Sequence, residues 1–525
     1  MRNRIYMAEP EEFLCRPTAE DEAFRKTHTR SGCSYLNLCE RFRLRERNYV
    51  TQYAHIYFTR LEKMRPYLEN AAAREWAQSV AGNEVCVKNV KKRLLEAEVG
   101  ERCCIIGTLF KKMELKPSIL KEISTSHHLL SQPPRAKLTS SSDQLVVEDS
   151  SQRFPLSGNI PSPHLVTGVL VALLGTAMRG GVFEVEDYTF AGLPSREESV
   201  ETEEQEEEER YVLLVSGLGM GSSWCDQLSL EMFVDYVTGQ LGGVSDQRFC
   251  SSLVRVIVAG NSITPETSKN AERQEKKPHA RFQTRNYSAD TVEAVKEMDN
   301  FLAQLTSCVP VDLMPGANDP ANYQLPQQPL HLCMFPRARA TGRLSSLTNP
   351  YHTVIGGTVF MGCSGQNVDD IYKFSSLTDR LEILENTLQW RHMLPTSPDT
   401  LNCYPYQDQD PFIMNTCPHV YFCGNQPSFQ SGRITGCDGQ SVLTICVPSF
   451  DLTHSAVLVR LRGGESEVQE IEFGTSLSHA PNPHLEAVLK MQKEGEEKGE
   501  GDGGQESRIE GEMTLLHLMD DDDDD

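Results

Sequence analysis

The sequence predicts a multi-domain α/β protein, an α/β layered domain preceded by a small β-barrel. Two observations carry this. From Tyr211 onward one unit repeats: an apolar strand stops at a glycine-bearing loop, and helical patterns lie between the repeats. Alternating β and α segments stack as layers. Before it, Val85 to Leu193 breaks into short apolar runs parted by turn formers. That is the pattern of a small barrel or sandwich, the OB-fold being one candidate.

Residues 1–48 read as a flexible lead, polar and irregular up to Arg30. Residues 49–82 read as a helical segment packing on the α/β domain. There Tyr53, Ile56, Tyr57, Leu61, Met64 and Leu68 recur at three- and four-residue steps, and Pro66 is expected to end or kink the helix. The barrel is expected over 83–193, with strands in Cys103–Phe110, Gln144–Glu148, Leu165–Leu174 and Val182–Val185. Basic residues gather at Lys88, Lys91, Lys92, Arg93, Lys111 and Lys112, with Phe110 among them. These are the candidate contacts for DNA or a partner. A single-strand groove stacks bases on aromatics, and the barrel has few, so protein binding is the expected use.

An acidic linker is expected over 194–210. The α/β domain follows over 211–474. Its strands are Val212–Ser216, Val254–Ala259, Val309–Met314 and His419–Cys423, with helices in Asp290–Leu305 and Leu377–Leu388 and closing strands in Gln440–Leu461. In open α/β sheets ligands bind outside the carboxyl ends of the strands. The loops there carry Gly217 and Gly219, then Asn261, then Ala317, Asn318 and Asp319, then Asn425 and Pro427. Asn261, Asn318 and Asn425 read as loop caps or left-handed positions. His55 and His419 read as packing histidines. The tail, 475–525, is expected to be disordered, with one isolated helical turn at His484–Gln492.

The net charge of −23 disfavours a primary DNA binder, which would carry a basic footprint. Much of the acid sits in runs, Glu201–Glu209, the stretch from Glu494 and Asp520–Asp525, so the structured parts are nearer neutral. None of the 16 Cys falls in a CxxC pair, which argues for reduced buried thiols rather than a zinc site. No apolar run approaches the roughly 20 residues of a membrane helix, and the amino terminus lacks the apolar core of a secretory signal.

The order of strands and loops resembles the calcineurin-like metallophosphoesterases. In that family the loops read D-x-H, G-D, G-N-H-D, an isolated His and G-H-x-H, and they hold two divalent metals. Carried over loop by loop, Gly217 and Gly219 stand for the first Asp and His, and Asn261 for the second Asp. Ala317 and Asn318 stand for the Asn and His of the third loop, where Asp319 remains. His392 matches the isolated His, and Asn425 and Pro427 the last pair. The resemblance implies a phosphoesterase α/β sandwich that has lost its metal site.

With the barrel, this architecture resembles the B-subunits of eukaryotic replicative DNA polymerases. Tyr53-Ala54-His55-Ile56-Tyr57 with Met64-Arg65-Pro66, Gly107-Thr108-Leu109-Phe110-Lys111, Pro326-Gln327-Gln328-Pro329-Leu330-His331, Ser364-Gly365-Gln366-Asn367-Val368, Pro398-Asp399-Thr400-Leu401 and Pro418-His419-Val420-Tyr421-Phe422-Cys423-Gly424-Asn425 are similar to the small regulatory subunit of DNA polymerase delta. That implies a non-catalytic, nuclear subunit without cofactor. It bridges the C-terminal cysteine-rich domain of the catalytic subunit and the third subunit, and works with the sliding clamp in replication and repair. It touches DNA weakly or indirectly, and no membrane. The basic string Arg273–Arg281 reads equally as an import signal or a solvated loop. The alternative is an active metallophosphoesterase or nuclease of the same fold, resting on Asp319 and His392.

Overall fold

Short apolar runs close into a barrel, and the strand–loop repeats build a sandwich of two sheets. The computed structural model describes residues 28–45, 47–78, 90, 91, 93–116, 135–196, 209–222, 225–264, 284–461 and 466–474. All of them belong to one compact unit, Met1–Ala480, and the second unit, Pro481–Asp525, lies outside the described residues. So do residues 1–27, 197–208 of the expected linker, the string Arg273–Arg281 and the helical turn expected at His484–Gln492.

The chain opens with β1 (Tyr35–Asn37) and α1 (Ala54–Gln78). Then come β2 (Arg102–Lys112), β3 (Gln144–Glu148), β4 (Arg153–Gly158), β5 (Leu170–Ala177) and β6 (Phe183–Thr189). The sandwich follows: β7 (Arg210–Val215), α2 (Gln227–Thr238), α3 (Val244–Cys250), β8 (Leu253–Ala259), α4 (Thr284–Cys308), β9 (Val311–Met314), α5 (Pro336–Ala340), β10 (Leu344–Ser346), β11 (Tyr351–Ile355) and β12 (Thr358–Cys363). It is completed by α6 (Gln366–Phe374), α7 (Arg380–Gln389), β13 (Val420–Gln426), β14 (Gln430–Thr435), β15 (Ser441–Pro448), α8 (Phe450–Thr453), β16 (Ser455–Leu461) and β17 (Glu467–Glu472).

Strands β2-β3-β4-β6-β5 form the closed barrel, as the fold class expected. One sheet of the sandwich runs β1-β11-β12-β13-β15-β14 and the other β10-β9-β8-β7-β16-β17. In the second, β10, β9, β8 and β7 are parallel, so their carboxyl ends lie at one edge. Strands β12, β13 and β15 of the first are likewise parallel. Val212, Leu214, Ile257, Phe360, Phe422 and Val447 fill the space between the sheets. A buried Asp312 sits in that layer, accepting from Arg255 at 2.5 Å, Tyr351 at 2.8 Å and Tyr35 at 3.3 Å.

Two stretches differ from expectation. Residues 28–45 are not a flexible lead: β1 pairs with β11, and Arg30 donates to the carbonyls of Cys250, Leu253 and Val237 at 2.8–2.9 Å. A three-residue strand has no periodicity of its own to read, and only the sheet edge it joins defines it. Helix α1 runs through Pro66 rather than stopping there. Pro66 removes one backbone bond, yet Leu61, Met64, Leu68, Ala72 and Trp76 pack in one cluster with Cys104, Ile106, Leu170 and Ala172 of the barrel, which holds the helix on both sides. His55 on α1 is exposed, not packed.

Candidate functional site

The loops after β7, β8, β9, β12 and β13 meet at the carboxyl edge. They are tied by amides and hydroxyls. Asn261 and Asn425 take left-handed backbone angles, φ 53° and 58°. Asn261 Oδ1 accepts from Asn318 N at 3.0 Å, joining the second loop to the third. Asn425 Nδ2 donates to Ser364 O at 2.7 Å and Ala259 O at 3.3 Å, and Asn425 N donates to Ser216 Oγ at 2.8 Å. One residue thus links four strand ends. Gln327 Nε2 donates to Gly316 O at 2.8 Å, and Gln327 Oε1 accepts from Asn349 Nδ2 at 2.8 Å and Gln366 Nε2 at 3.0 Å. Sequence reasoning missed this trio, although Gln327 and Gln366 both lie in strings it singled out.

Asp319 is buried in the third loop. Its Oδ1 accepts from Ile263 N at 2.9 Å and its Oδ2 from Gly316 N at 2.7 Å. Burial pushes its carboxyl up to about 6, against the pull of those backbone donors. Ala317 and Asn318 beside it are exposed, and Pro427 is half-buried. Gly217 has φ 64°, and a Cβ there would fall 2.0 Å from Ser449 Oγ and 2.9 Å from Asn425 Oδ1. Gly219 also has φ 64°, and its Cβ would meet Asp451 Cβ at 2.9 Å.

Profiles of two protein families match the chain. One, described as the B-subunit of DNA polymerase alpha/epsilon, covers residues 212–431, and the other, the DNA polymerase delta subunit OB-fold domain, covers 52–188. The DNA polymerase delta small subunit of Oryza sativa subsp. japonica is 41% identical over 450 residues, 85% of this chain and 99% of the relative. That of Arabidopsis thaliana is 40% identical over 458 residues, 87% and 99%. The chain belongs to the DNA polymerase delta small-subunit family. DNA polymerase delta subunit 2 of Drosophila melanogaster, 38% identical over 427 residues, covers 81% of this chain and is itself covered to 95%.

In this family member His392 departs from its expected place among the loops. It belongs to a second polar cluster, in the core between α1, the barrel and the α/β domain. Asp410 Oδ2 lies 2.7 Å from Arg60 Nε and 2.9 Å from His392 Nε2, and its Oδ1 accepts from Phe412 N at 3.1 Å. Arg60 comes from α1, and donates also to Pro395 O at 2.9 Å, Ser397 O at 2.8 Å and the barrel's Gly168 O at 3.5 Å. Leu394 N donates to His392 Nδ1 at 3.2 Å, so the Nε2 proton points at Asp410. Burial, with the Arg60 charge, lowers the His392 pKa and keeps the ring neutral. The Asp410 carboxyl is held far below its usual range by Arg60 and His392, although burial itself pushes the other way.

The basic residues of the barrel divide as well. Lys88 and Lys92 lie outside the described residues. Lys91 pairs with Glu101 at 2.8 Å, Arg93 and Lys112 are exposed, and the Arg153 guanidinium lies 5.7 Å from the half-buried Phe110 ring. Lys111 is not a surface contact. It is 2% exposed, because residues 109 and 111 of β2 point inward while 110 and 112 point out. Its Nζ reaches Pro163 O at 3.2 Å, Phe374 O at 3.3 Å and Thr139 Oγ1 at 3.4 Å. Lys137 Nζ lies with it, donating to Tyr372 O, Ser375 O and Leu377 O at 2.5–3.1 Å. Two ammonium groups therefore cap the carboxyl end of α6, where the dipole favours cations.

Proposed function

We propose that this chain is the non-catalytic scaffold of a DNA polymerase delta complex. The barrel with the adjoining face of the α/β domain holds the cysteine-rich C-terminal domain of the catalytic subunit. The rest of the α/β domain holds the third subunit, and the assembly works with the sliding clamp in nuclear replication and repair. The observation that carries the reading is the closed loop cluster. A two-cation site needs carboxylates and imidazoles around ions about 3.5–4 Å apart. The residues here do not fit one. Asp319 is engaged with two backbone amides, the Asn261 amide oxygen with a third, and the Gly217 position is filled by Ser449 and Asn425. His392 is turned to Asp410.

Loops locked to one another make a rigid surface, which lowers the ordering cost of association. Exposed apolar side chains favour docking on the barrel: Leu95 is 68% exposed, Val99 62% and Met178 43%, and Val99 bridges to Ala177 beside Met178. The test is co-expression with the catalytic and third subunits, with manganese-dependent phosphodiester hydrolysis measured on the same preparation. A stable complex without hydrolysis is expected. A monomer that ignores both partners would count against the scaffold, and turnover abolished by Asp319→Ala would restore the enzyme reading.

A further inference from the structure

Among the described residues a different pair of side chains has no counter-charge. His352 lies in β11. Its neighbours Tyr351 and Thr353 point between the sheets, where their hydroxyls meet at 2.8 Å, so strand alternation turns His352 to the opposite face. Met361 is its cross-strand partner there. The turn Cys39–Phe42 covers this face, with Leu38 N donating to His352 O at 3.0 Å and His352 N to Cys39 Sγ at 3.2 Å. From that turn Arg41 reaches in. Its Nη2 stops 4.0 Å from the sulfurs of Met361 and Met393, and its guanidinium carbon lies 4.5 Å from the Phe42 ring centroid.

Thioethers are weak acceptors. Arg41 Nε is buried without a hydrogen-bond partner, and so are both ring nitrogens of His352, a residue 6% exposed. Among the described residues no carboxylate lies against either group. Cys39 is a further titratable neighbour of Arg41 among the described residues, and burial raises its thiol pKa. Burial pushes Arg41 down to about 10, and burial with the Arg41 charge pushes His352 down to about 3. Buried cations in folded proteins are paired, because an unpaired one keeps most of its desolvation cost. Arg41 retains part of its surface in solvent, which leaves a way in.

We propose that Arg41 and His352 form a receptor for an oxyanion, a carboxylate or phosphate, that accepts from the guanidinium and from an imidazole N–H. The anion is either a free ion or an acidic side chain of an associated subunit, and the site itself does not depend on how the loop cluster is read. Thermal unfolding of the full chain tests it, with inorganic phosphate exchanged for chloride at constant ionic strength. Wild type gains about 2 °C, saturably. Arg41→Met shows no response, His352→Gln a reduced one, and without phosphate Arg41→Met unfolds no lower than wild type. Repeated on the complex with the other polymerase subunits, a response that disappears assigns the site to a subunit carboxylate, and one that persists assigns it to a free ion. If no complex forms, the scaffold reading fails while the phosphate arm still stands. A wild type that ignores phosphate, or an Arg41→Met variant that responds equally, overturns the receptor.

Discussion

Two polar clusters of this protein have opposite chemistry. At the carboxyl edge of the sheets the loops are tied by neutral amides and hydroxyls of Asn261, Asn425, Gln327 and Ser216. In the core, Arg60, Asp410 and His392 hold a buried charge pair against α1, the barrel and the α/β domain. Charge is kept where α1, the barrel and the α/β domain meet and is scarce among these loops. Neutral amides cross-link loops at little desolvation cost, whereas a buried ion pair is tolerated only with full coordination. Arg60 has that coordination, with three carbonyls besides Asp410.

The contrast is sharpest for Arg60. Arg60→Ala strands the Asp410 charge, and the expected loss is about 3–5 kcal/mol in denaturant unfolding. A loss under about 1 kcal/mol would mean the joint is not held by this pair. Placing a carboxylate at position 217 of the loop edge comes next. Gly217→Asp meets Ser449 and sits at φ 64°, so it should cost about 2–4 kcal/mol and leave phosphodiester hydrolysis at background. Manganese-dependent turnover in that variant would show the edge to be one substitution from activity.

Asn425→Ala frees Ser364 O and Ala259 O and should cost about 1–2 kcal/mol. The core cluster also makes a pH prediction. The folded pKa of His392 is lowered, so its contribution is complete above the unfolded value of about 6.5 and is lost as pH falls through that value toward the folded one. Wild type should lose stability between about pH 6.5 and 5 by up to ~1.4 kcal/mol per unit more than His392→Gln. Equal slopes would mean the ring takes up protons in the core. The smallest effect belongs to Lys112→Ala, exposed beside the buried Lys111, within about 0.5 kcal/mol on unfolding.

Much of this was legible in the residues. Apolar runs closed by glycines became β7, β8, β9 and β13 where expected, and the short runs of 83–193 became the barrel. Of Asn261, Asn318 and Asn425, read as loop caps or left-handed positions, Asn261 and Asn425 take left-handed angles. His392 was not legible, since its neighbours Arg60 and Asp410 stand 332 and 18 residues away in sequence and nothing local records them. Gln327, Asn349 and Gln366 were missed because isolated amides have no spacing signature until three loops bring them together.

Period and turn chemistry are local properties, so the chain alone specifies which segments are strands and where they stop. Which buried charges find partners is a matter of long-range packing. Only the folded arrangement sets Arg60 on Asp410, turns Lys111 inward onto α6, fills the space beside Gly217 with Ser449, and places Arg41 against the sulfurs of Met361 and Met393.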